Sequence, residues 1–397
     1  MQTPRLSVVV VSAGRARALV RCLTALDQMR STQTEVIVVA DADGLAVAQN
    51  LPFSQRLVLI PQDDPNISAA RNAGVAQAAG DVVGFIDDDA VPEPGWADAV
   101  LAAFANPDVG AITGPVLGRN GISLQWGVMA VDRLGQDRWL ADGDRPGDGA
   151  ALKLHGTNMA FRRRVLTLTG GFDTGFRFYL DETDLALRLT DVGVGLAYVP
   201  NAVVHHGFAA SARRNADRIP LDLFDIGAST ALFLRKHAPE RAESALDQLV
   251  GDQRARLMRL ARRRKIGPDE IRHLMETLAS GIGAGRDRVS YAPMLAQTRR
   301  AFQPLRDTAP PSIQRLDGWA HQAPRLRQKA AEMVARGQPV ALMLLEPTPR
   351  KHRVEFTQGG WWEQRGGLFG PSDRSGARLQ LWRYSSRVAA ENARQSL

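Results

Sequence analysis

Val82-Val83-Gly84-Phe85-Ile86-Asp87-Asp88-Asp89 is the stretch on which the reading of this chain turns. Its uncharged start reads as a strand buried on both faces, and the three carboxylates that close it repel one another. An ionised carboxylate taken out of water without a partner is costly, so the triplet calls for a divalent cation, for Arg or Lys side chains, or for exposure in a cleft. Hard oxygen ligands of this kind suit Mg²⁺ or Mn²⁺ better than zinc. Asp87 and Asp89 are alternate residues, so in an extended segment they point to one side and Asp88 to the other.

Around the triplet, short apolar runs alternate with helix-like segments up to about residue 120, the pattern of a parallel α/β sheet. Strands are expected at 6–11, 35–40, 56–60, 82–86 and 109–113, and helices at 18–29, at 67–79 between Asn66 as N-cap and Gly80 as stop, and at 97–105 after a proline turn. Residues 118–156 are rich in Gly and Asp and lack a period, which predicts a long loop region. A helix over 182–192 and a strand over 196–206 follow. Beyond Pro220 the pattern is helical, and from 340 through Trp361-Trp362 it mixes strand and loop without assigning a fold.

The 397 residues leave room for one large domain and a second, or for a long extension. No run approaches the roughly 18–20 apolar residues of a membrane span. The opening run Leu6-Ser7-Val8-Val9-Val10-Val11 lacks a basic leader and a small-residue cleavage site, so a first core strand is expected there and not a signal peptide. The single Cys22 excludes an internal disulfide and a cysteine-rich metal site, which fits a reducing compartment. Ser12-Ala13-Gly14-Arg15 lacks the glycine spacing of a dinucleotide-binding turn, which argues against a dehydrogenase. Residues 1–240 carry 22 Lys and Arg against 27 Asp and Glu, and residues 241–397 carry 28 against 15, so the excess positive charge lies in the second part. Such a split points to two functional regions, the basic one facing an anionic partner.

In order along the chain, Asn66-Ile67-Ser68-Ala69-Ala70-Arg71-Asn72-Ala73-Gly74, the Asp triplet, Gly156-Thr157-Asn158, Asp181-Glu182-Thr183-Asp184-Leu185 and His205-His206 together resemble the family 2 glycosyltransferases of the GT-A fold. The resemblance spans about residues 5–210. It implies an α/β, Rossmann-like nucleotide-diphospho-sugar transferase domain over 1–240, with a nucleotide-sugar half at 1–117 and an acceptor and catalytic half at 118–240. A basic, mainly helical extension at 241–335 and a small region at 336–397 complete the expected organisation. The implied activity is metal-dependent, inverting transfer of a sugar from a nucleotide diphosphate, by default a UDP- or dTDP-sugar, to a hydroxyl of a glycan or lipid-linked acceptor in cell-envelope or polysaccharide synthesis.

The resemblance carries roles to single residues. Asp87 and Asp89 face the ribose and a Mn²⁺ or Mg²⁺ ion, with His206 as a further ligand, and Asp88 belongs to the donor side. Arg71, Asn72 and Gly74 also fall on the donor side: Arg71 suits a diphosphate or base, and Gly74 permits close backbone approach. After the second strand the family has paired acids, whereas here Ala40 precedes Asp41 and Asp43, of which Asp41 is the substitute. Asn158 matches a family loop near the donor sugar or acceptor and is assigned with Asp184 to the acceptor side, although Asp184 also has Arg188 at i+4 as an ion-pair partner; read from the residues alone, Trp96 just past the proline turn suits the acceptor cleft or simple packing. The family phrase is usually Glu-Asp-X-Asp-Leu with its second acid as base, so Glu182 takes that role; the exchanged order leaves Asp181 as rival. His205 and His206 are adjacent strand residues facing opposite sides.

The basic segment 254–265 suits an anionic membrane surface, which places the chain in the cytoplasm or peripherally on the inner membrane face; a plain solvated face is the alternative. Nucleic acid is not expected, since no recognition module accompanies the charge. Trp361-Trp362 suits sugar stacking or packing against 340–345. The competing functions are a nucleotidyltransferase acting on sugar phosphates and a non-catalytic glycan-binding protein of the same fold.

Overall fold

The computed structural model describes residues 4–394 except 208–210, 212, 216, 294, 296, 297, 299, 374–376 and 378. Its centre is a seven-stranded sheet in the order Gly195–Tyr198, Val109–Thr113, Met159–Arg162, Val82–Asp87, Leu6–Ser12, Thr34–Ala40, Leu57–Pro61. All strands run one way except Met159–Arg162, which is antiparallel to both neighbours. Helices cover both faces. Val8 and Val10 pack with Leu19, Leu23 and Trp96 on one side, while Val9 packs with Ala70, Val75 and Phe85 on the other, the period of two that a strand imposes. The register pairs Val11 with Asp87, so residues 12–15 lie beside the acidic triplet at the carboxyl ends of neighbouring strands, where open α/β sheets bind ligands.

Two expectations about the middle of the chain change. The strand expected over 196–206 is two strands: Gly195–Tyr198 extends the main sheet, and Val204–His206 joins a four-stranded sheet between Ala90–Pro92 and Val116–Leu117, with Leu124–Trp126 outermost. Pro200, with no amide hydrogen to donate, lies in the break. The region 118–156 is not only loop. It holds Leu124–Trp126 and a small sheet of Asp137–Trp139, Met129–Val131 and Ala151–Leu152, strands too short to leave a readable period.

Helices Phe224–His237, Ala242–Arg262 and Pro268–Asp287 surround their own core of Leu223, Leu234, Leu246, Leu257, Leu274 and Leu278. That packing accounts for the apolar residues of the basic segment 254–265. Leu257 is fully buried and Leu260 packs inward, so the apolar face is used inside the protein, and of the large apolar side chains in the segment only Met258 is exposed. What remains outward is a charged surface. No helix among the described residues is long and apolar enough to cross a membrane.

The boundary expected at 336 moves to before residue 314. Strand Gln314–Trp319 pairs in parallel with Val340–Glu346, and helix Ala323–Ala335 connects them, so this helix belongs to the last region and not to the basic bundle. Trp362–Gly367 and Arg353–Phe356 complete that four-stranded sheet. Trp362 is buried, its ring edge-on to His205 with centroids 4.8 Å apart, which settles its role as packing. The last sheet thus braces the strand that carries His206.

Candidate active site

Asp87, Asp89 and His206 converge: a carboxylate oxygen from each acid and an imidazole nitrogen all lie within 4.8 Å of one another. His206 Nδ1 lies 3.2 Å from Gln125 Oε1, and Nε2 lies 3.3 Å from Asp89 Oδ1. With Nδ1–H donated to Gln125, the Nε2 lone pair faces a carboxylate oxygen, and a positive charge belongs between them. Two carboxylates and an imidazole therefore fit a hard or borderline divalent cation on the chemistry of the donors. Arg15 supplies part of the positive charge the triplet requires, at 2.8 Å from Asp88 and 3.3 Å from Asp89.

Asp88 turns the other way. It is fully buried, accepts from Ser12 Oγ at 2.7 Å, and its carboxyl is pushed up to about 7, burial outweighing the pull of Arg15. Its assignment to the donor side is corrected: it anchors the loop after the first strand.

The second acidic phrase opens helix Asp181–Asp191. Just before it, Tyr179 and Leu180 have φ of 72° and 65°, left-handed conformations that cost non-glycine residues about 1–3 kcal/mol each. The segment is clamped around them. Leu180 is buried, Ser229 Oγ donates to the Phe178 carbonyl at 2.6 Å, and the Arg213 guanidinium lies 4.2 Å from the centre of the Phe178 ring. The strained turn aims the first residues of the helix back toward the triplet.

Asp181 is buried and ion-paired with Arg71 Nη1. Arg71 Nη2 donates to the Gly156 carbonyl at 3.1 Å and lies 3.6 Å from Asp87. Arg71 is itself buried, so the expectation that it meets the diphosphate is corrected: its charge is held between the two acidic motifs and joins them. Glu182 is partly exposed, and its carboxyl is raised well above the usual range by burial first and then by the charge of Asp181, with Lys153 and Arg71 opposing. Lys153, held by Asp137 at 2.7 Å, has its ammonium form favoured by Glu182 as well as Asp137.

Several expected site residues are structural. Asn72 Nδ2 donates to the Phe172 carbonyl and its Oδ1 accepts from the Phe172 amide, fixing a turn. A Cβ at Gly74 would lie 2.4 Å from a Val9 methyl, so this glycine serves helix-to-sheet packing and not approach to a ligand. Trp96 and Asn158 are fully buried, the indole Nε1–H donating to Asn158 Oδ1 at 2.8 Å, which removes both from an acceptor cleft. Asp184 is buried among Arg188, Lys236 and His237, all within 2.8 Å, and the hydrogen bond with His237 together with the charges of Arg188 and Lys236 outweighs burial and holds its carboxyl well below the ordinary range. Asp41 caps helix Ala42–Gln49 and accepts from Gly14 and Gly44 amides at 2.6 and 2.9 Å, so it shapes the loop, while Asp43 is exposed in the first turn.

Gln125, Lys153, Trp126 and Arg15 have no role in the sequence reading, and Thr157 appears there only within its motif. Thr157 Oγ1 donates to Asp87 at 2.5 Å, Gln125 orients His206, Lys153 serves Glu182, and Trp126 lies against both His206 and the neutral, buried His155, with ring centroids 5.7 and 5.6 Å away. Arg15 had a signal: it follows the first strand, and the ends of adjacent parallel strands share one crevice. Gln125, Trp126 and Lys153 sit in the region 118–156 that reads as loop.

A Rossmann-like sheet with an acidic triplet at its carboxyl edge, met by a histidine from the neighbouring four-stranded sheet and by a second acidic phrase on a helix start, defines a GT-A type glycosyltransferase domain. Residues 4–218 match the family model described as glycosyltransferase like family 2, and the chain belongs to that family. It is similar to an O-antigen biosynthesis protein of Myxococcus xanthus, 28% identical over 247 residues, covering 55% of this chain and 18% of that protein. It is also similar to a pre-mycofactocin glycosyltransferase of Mycobacterium tuberculosis, 29% identical over 240 residues, covering 58% of this chain and 47% of that protein. The chain thus spans less than half the length of these relatives. Among solved structures, S. aureus TarS 1–349 with UDP-GlcNAc is similar with a TM-score of 0.46 at 14% identity, covering 70% of this chain and 81% of that one. A Pyrobaculum calidifontis mannosyltransferase with GDP-Man and Mn²⁺ has a TM-score of 0.42 at 18% identity, covering 72% and 88%.

Proposed function

We propose that this protein is a metal-dependent, inverting glycosyltransferase that moves a sugar from a nucleotide diphosphate to a hydroxyl of a glycan or lipid-linked acceptor in polysaccharide synthesis. The observation that carries the reading is that Arg71 ties Asp87, of the Asp87, Asp89 and His206 cluster, to Asp181, the neighbour of Glu182. Asp87, Asp89 and His206 hold Mn²⁺ or Mg²⁺, which when bound neutralises charge developing on the departing diphosphate. Glu182 takes the proton of the acceptor hydroxyl as its oxygen bonds to the anomeric carbon. The bond from that carbon to the diphosphate oxygen breaks on the opposite side, and a nucleoside diphosphate leaves. Between the rival bases the geometry favours Glu182, because the Asp181 carboxylate is committed to Arg71 whereas Glu182 is partly exposed. UDP- and dTDP-sugars are the first donors to test, and GDP-mannose the second. The arginine-rich outer surface of 254–265 suits a peripheral contact with an anionic membrane face.

The direct test is calorimetric titration of UDP-, dTDP- and GDP-sugars with Mn²⁺ and after chelation with EDTA. Donor binding should require the metal. No donor binding under either condition removes the reading, and release of pyrophosphate from a nucleoside triphosphate and a sugar phosphate would replace it with a nucleotidyltransferase.

Asp89→Asn should abolish metal-dependent donor binding. Gln125→Leu should weaken Mn²⁺ affinity about 10–100-fold without abolishing it, the usual penalty for losing the group that orients a ligating histidine. Equal Mn²⁺ affinity in Gln125→Leu and wild type, read by the same titration, would separate Gln125 from the site.

A further inference from the structure

Trp139 stands out among the large apolar side chains, because it is 53% exposed although it belongs to an ordered strand beside the catalytic acids. It lies on the edge strand Asp137–Trp139, whose partner is Met129–Val131, with Ala151–Leu152 on the far side. Asp137 and Trp139 are two residues apart in this strand and share one side of the small sheet. On that side Asp137 reaches across to Lys153 at 2.7 Å, and Glu182 acts on the same ammonium. The turn joining the two strands packs on the other flank of the site: a Cβ at Gly135 would lie 3.5 Å from Leu180, in the strained segment that presents Asp181 and Glu182.

The ring of Trp139 is also held from behind. A Cβ at Gly127 would meet the indole at 3.1 Å, so the glycine leaves the space in which the ring rests, and Gly127 directly follows Trp126, which leans on the metal-cluster residue His206. The exposed indole is therefore supported by the chain that carries the donor-side cluster and linked through Asp137 and Lys153 to the proposed base. On the ring's own side of the strand stands Asp137 with its partner Lys153, and Leu124, 45% exposed, borders the same Gly127. A broad apolar field would suit a lipid chain; a flat ring with a single leucine beside it and the Asp137–Lys153 pair on its side of the sheet suits a pyranose, whose C–H face lies on the ring while its hydroxyls meet the charged pair.

We propose that Trp139 is the stacking platform for a pyranose ring of the acceptor, orienting that sugar so that one hydroxyl faces Glu182. This inference rests on the glycosyltransferase reading above, and its test separates the two.

The probes are methyl glycosides of glucose, galactose, mannose and N-acetylglucosamine, whose aglycone brings no aromatic ring of its own. Sugar transfer to each, transfer to water, and Mn²⁺-dependent donor binding are measured for wild type, Trp139→Ala and Trp139→Phe. Trp139→Ala should raise the acceptor KM about tenfold or more while transfer to water and donor binding stay as in wild type, and Trp139→Phe should recover most of the loss. Because the side chain is more than half exposed, the thermal midpoint should not move. An unchanged acceptor KM in Trp139→Ala overturns the platform. So does parallel loss of donor binding and transfer to water, which marks a structural role. Wild-type transfer to water with none of the four glycosides accepted overturns the platform and leaves the donor reading standing. Failure of wild type to bind any donor removes the glycosyltransferase reading, and the platform with it.

Discussion

Glu182→Gln should lower turnover about 10²–10⁴-fold while leaving Mn²⁺ dependence and donor affinity as in wild type, the loss expected when a positioned base is removed and the binding groups remain. The substitution keeps the shape of the side chain and removes its ability to accept a proton. The raised carboxyl of Glu182 is consistent with such a role, since a base works best when its proton affinity is close to the operating pH. The same shift has a stability consequence of definite sign. A carboxyl whose folded value lies above its unfolded value of about 4.3 contributes fully below that pH and loses its contribution as pH rises through the raised value. Glu182→Gln should therefore match wild type in urea denaturation at acid pH and become progressively more stable than wild type as pH rises. Steady-state kinetics with a donor and acceptor read the first effect, and unchanged turnover would remove Glu182 from the mechanism. A stability gap independent of pH would show that Glu182 is not buried against its own charge.

Arg71→Met should destabilise the protein by about 3–5 kcal/mol, the usual cost of removing one partner of a buried ion pair and leaving the other charged and unmatched. Arg71 has few routes for replacement. It is 4% exposed, paired with Asp181, close to Asp87, bonded to the Gly156 carbonyl, and its guanidinium lies 5.3 Å from the centre of the Phe172 ring. Methionine preserves much of the volume, so the loss reports charge more than cavity. Adding Asp181→Asn should recover most of the lost stability, because the orphaned charge disappears with its partner. Equal destabilisation in the single and double variants, measured as the urea midpoint and slope, would show that Arg71 acts by packing alone.

How far the site was readable along the chain depended on whether a signal was local. The strands at 82–87 and 6–12 announce themselves because burial on both faces demands unbroken apolar runs, and clustered carboxylates mark a site because their repulsion needs an answer. Which residue answers it is a matter of partners far along the chain. Arg71 reads as a free cation for a diphosphate until the fold brings Asp181 to it from 110 residues away, and Thr157 meets Asp87 across 70. Trp96 and Asn158 read as cleft residues, yet they satisfy one another inside the core, where an indole N–H left without an acceptor would be penalised.

The order of acidic and histidine motifs along the chain, together with the alternation of apolar runs, was enough to establish the α/β class, the family and the likeness of 181–185 to a catalytic phrase. Those features are short-range, since period, burial and charge density are properties of neighbouring residues. Only the folded chain decided that Asp88 faces inward, that the 118–156 region forms a small sheet carrying Trp139, that helix Ala323–Ala335 belongs to the last sheet, and that Arg71 joins the two acidic motifs. Each of these depends on which buried charge or strand edge finds which distant partner. The cost of leaving a charge or a backbone group unmatched selects that partner, and it is set by the assembled interior and not by adjacency in sequence.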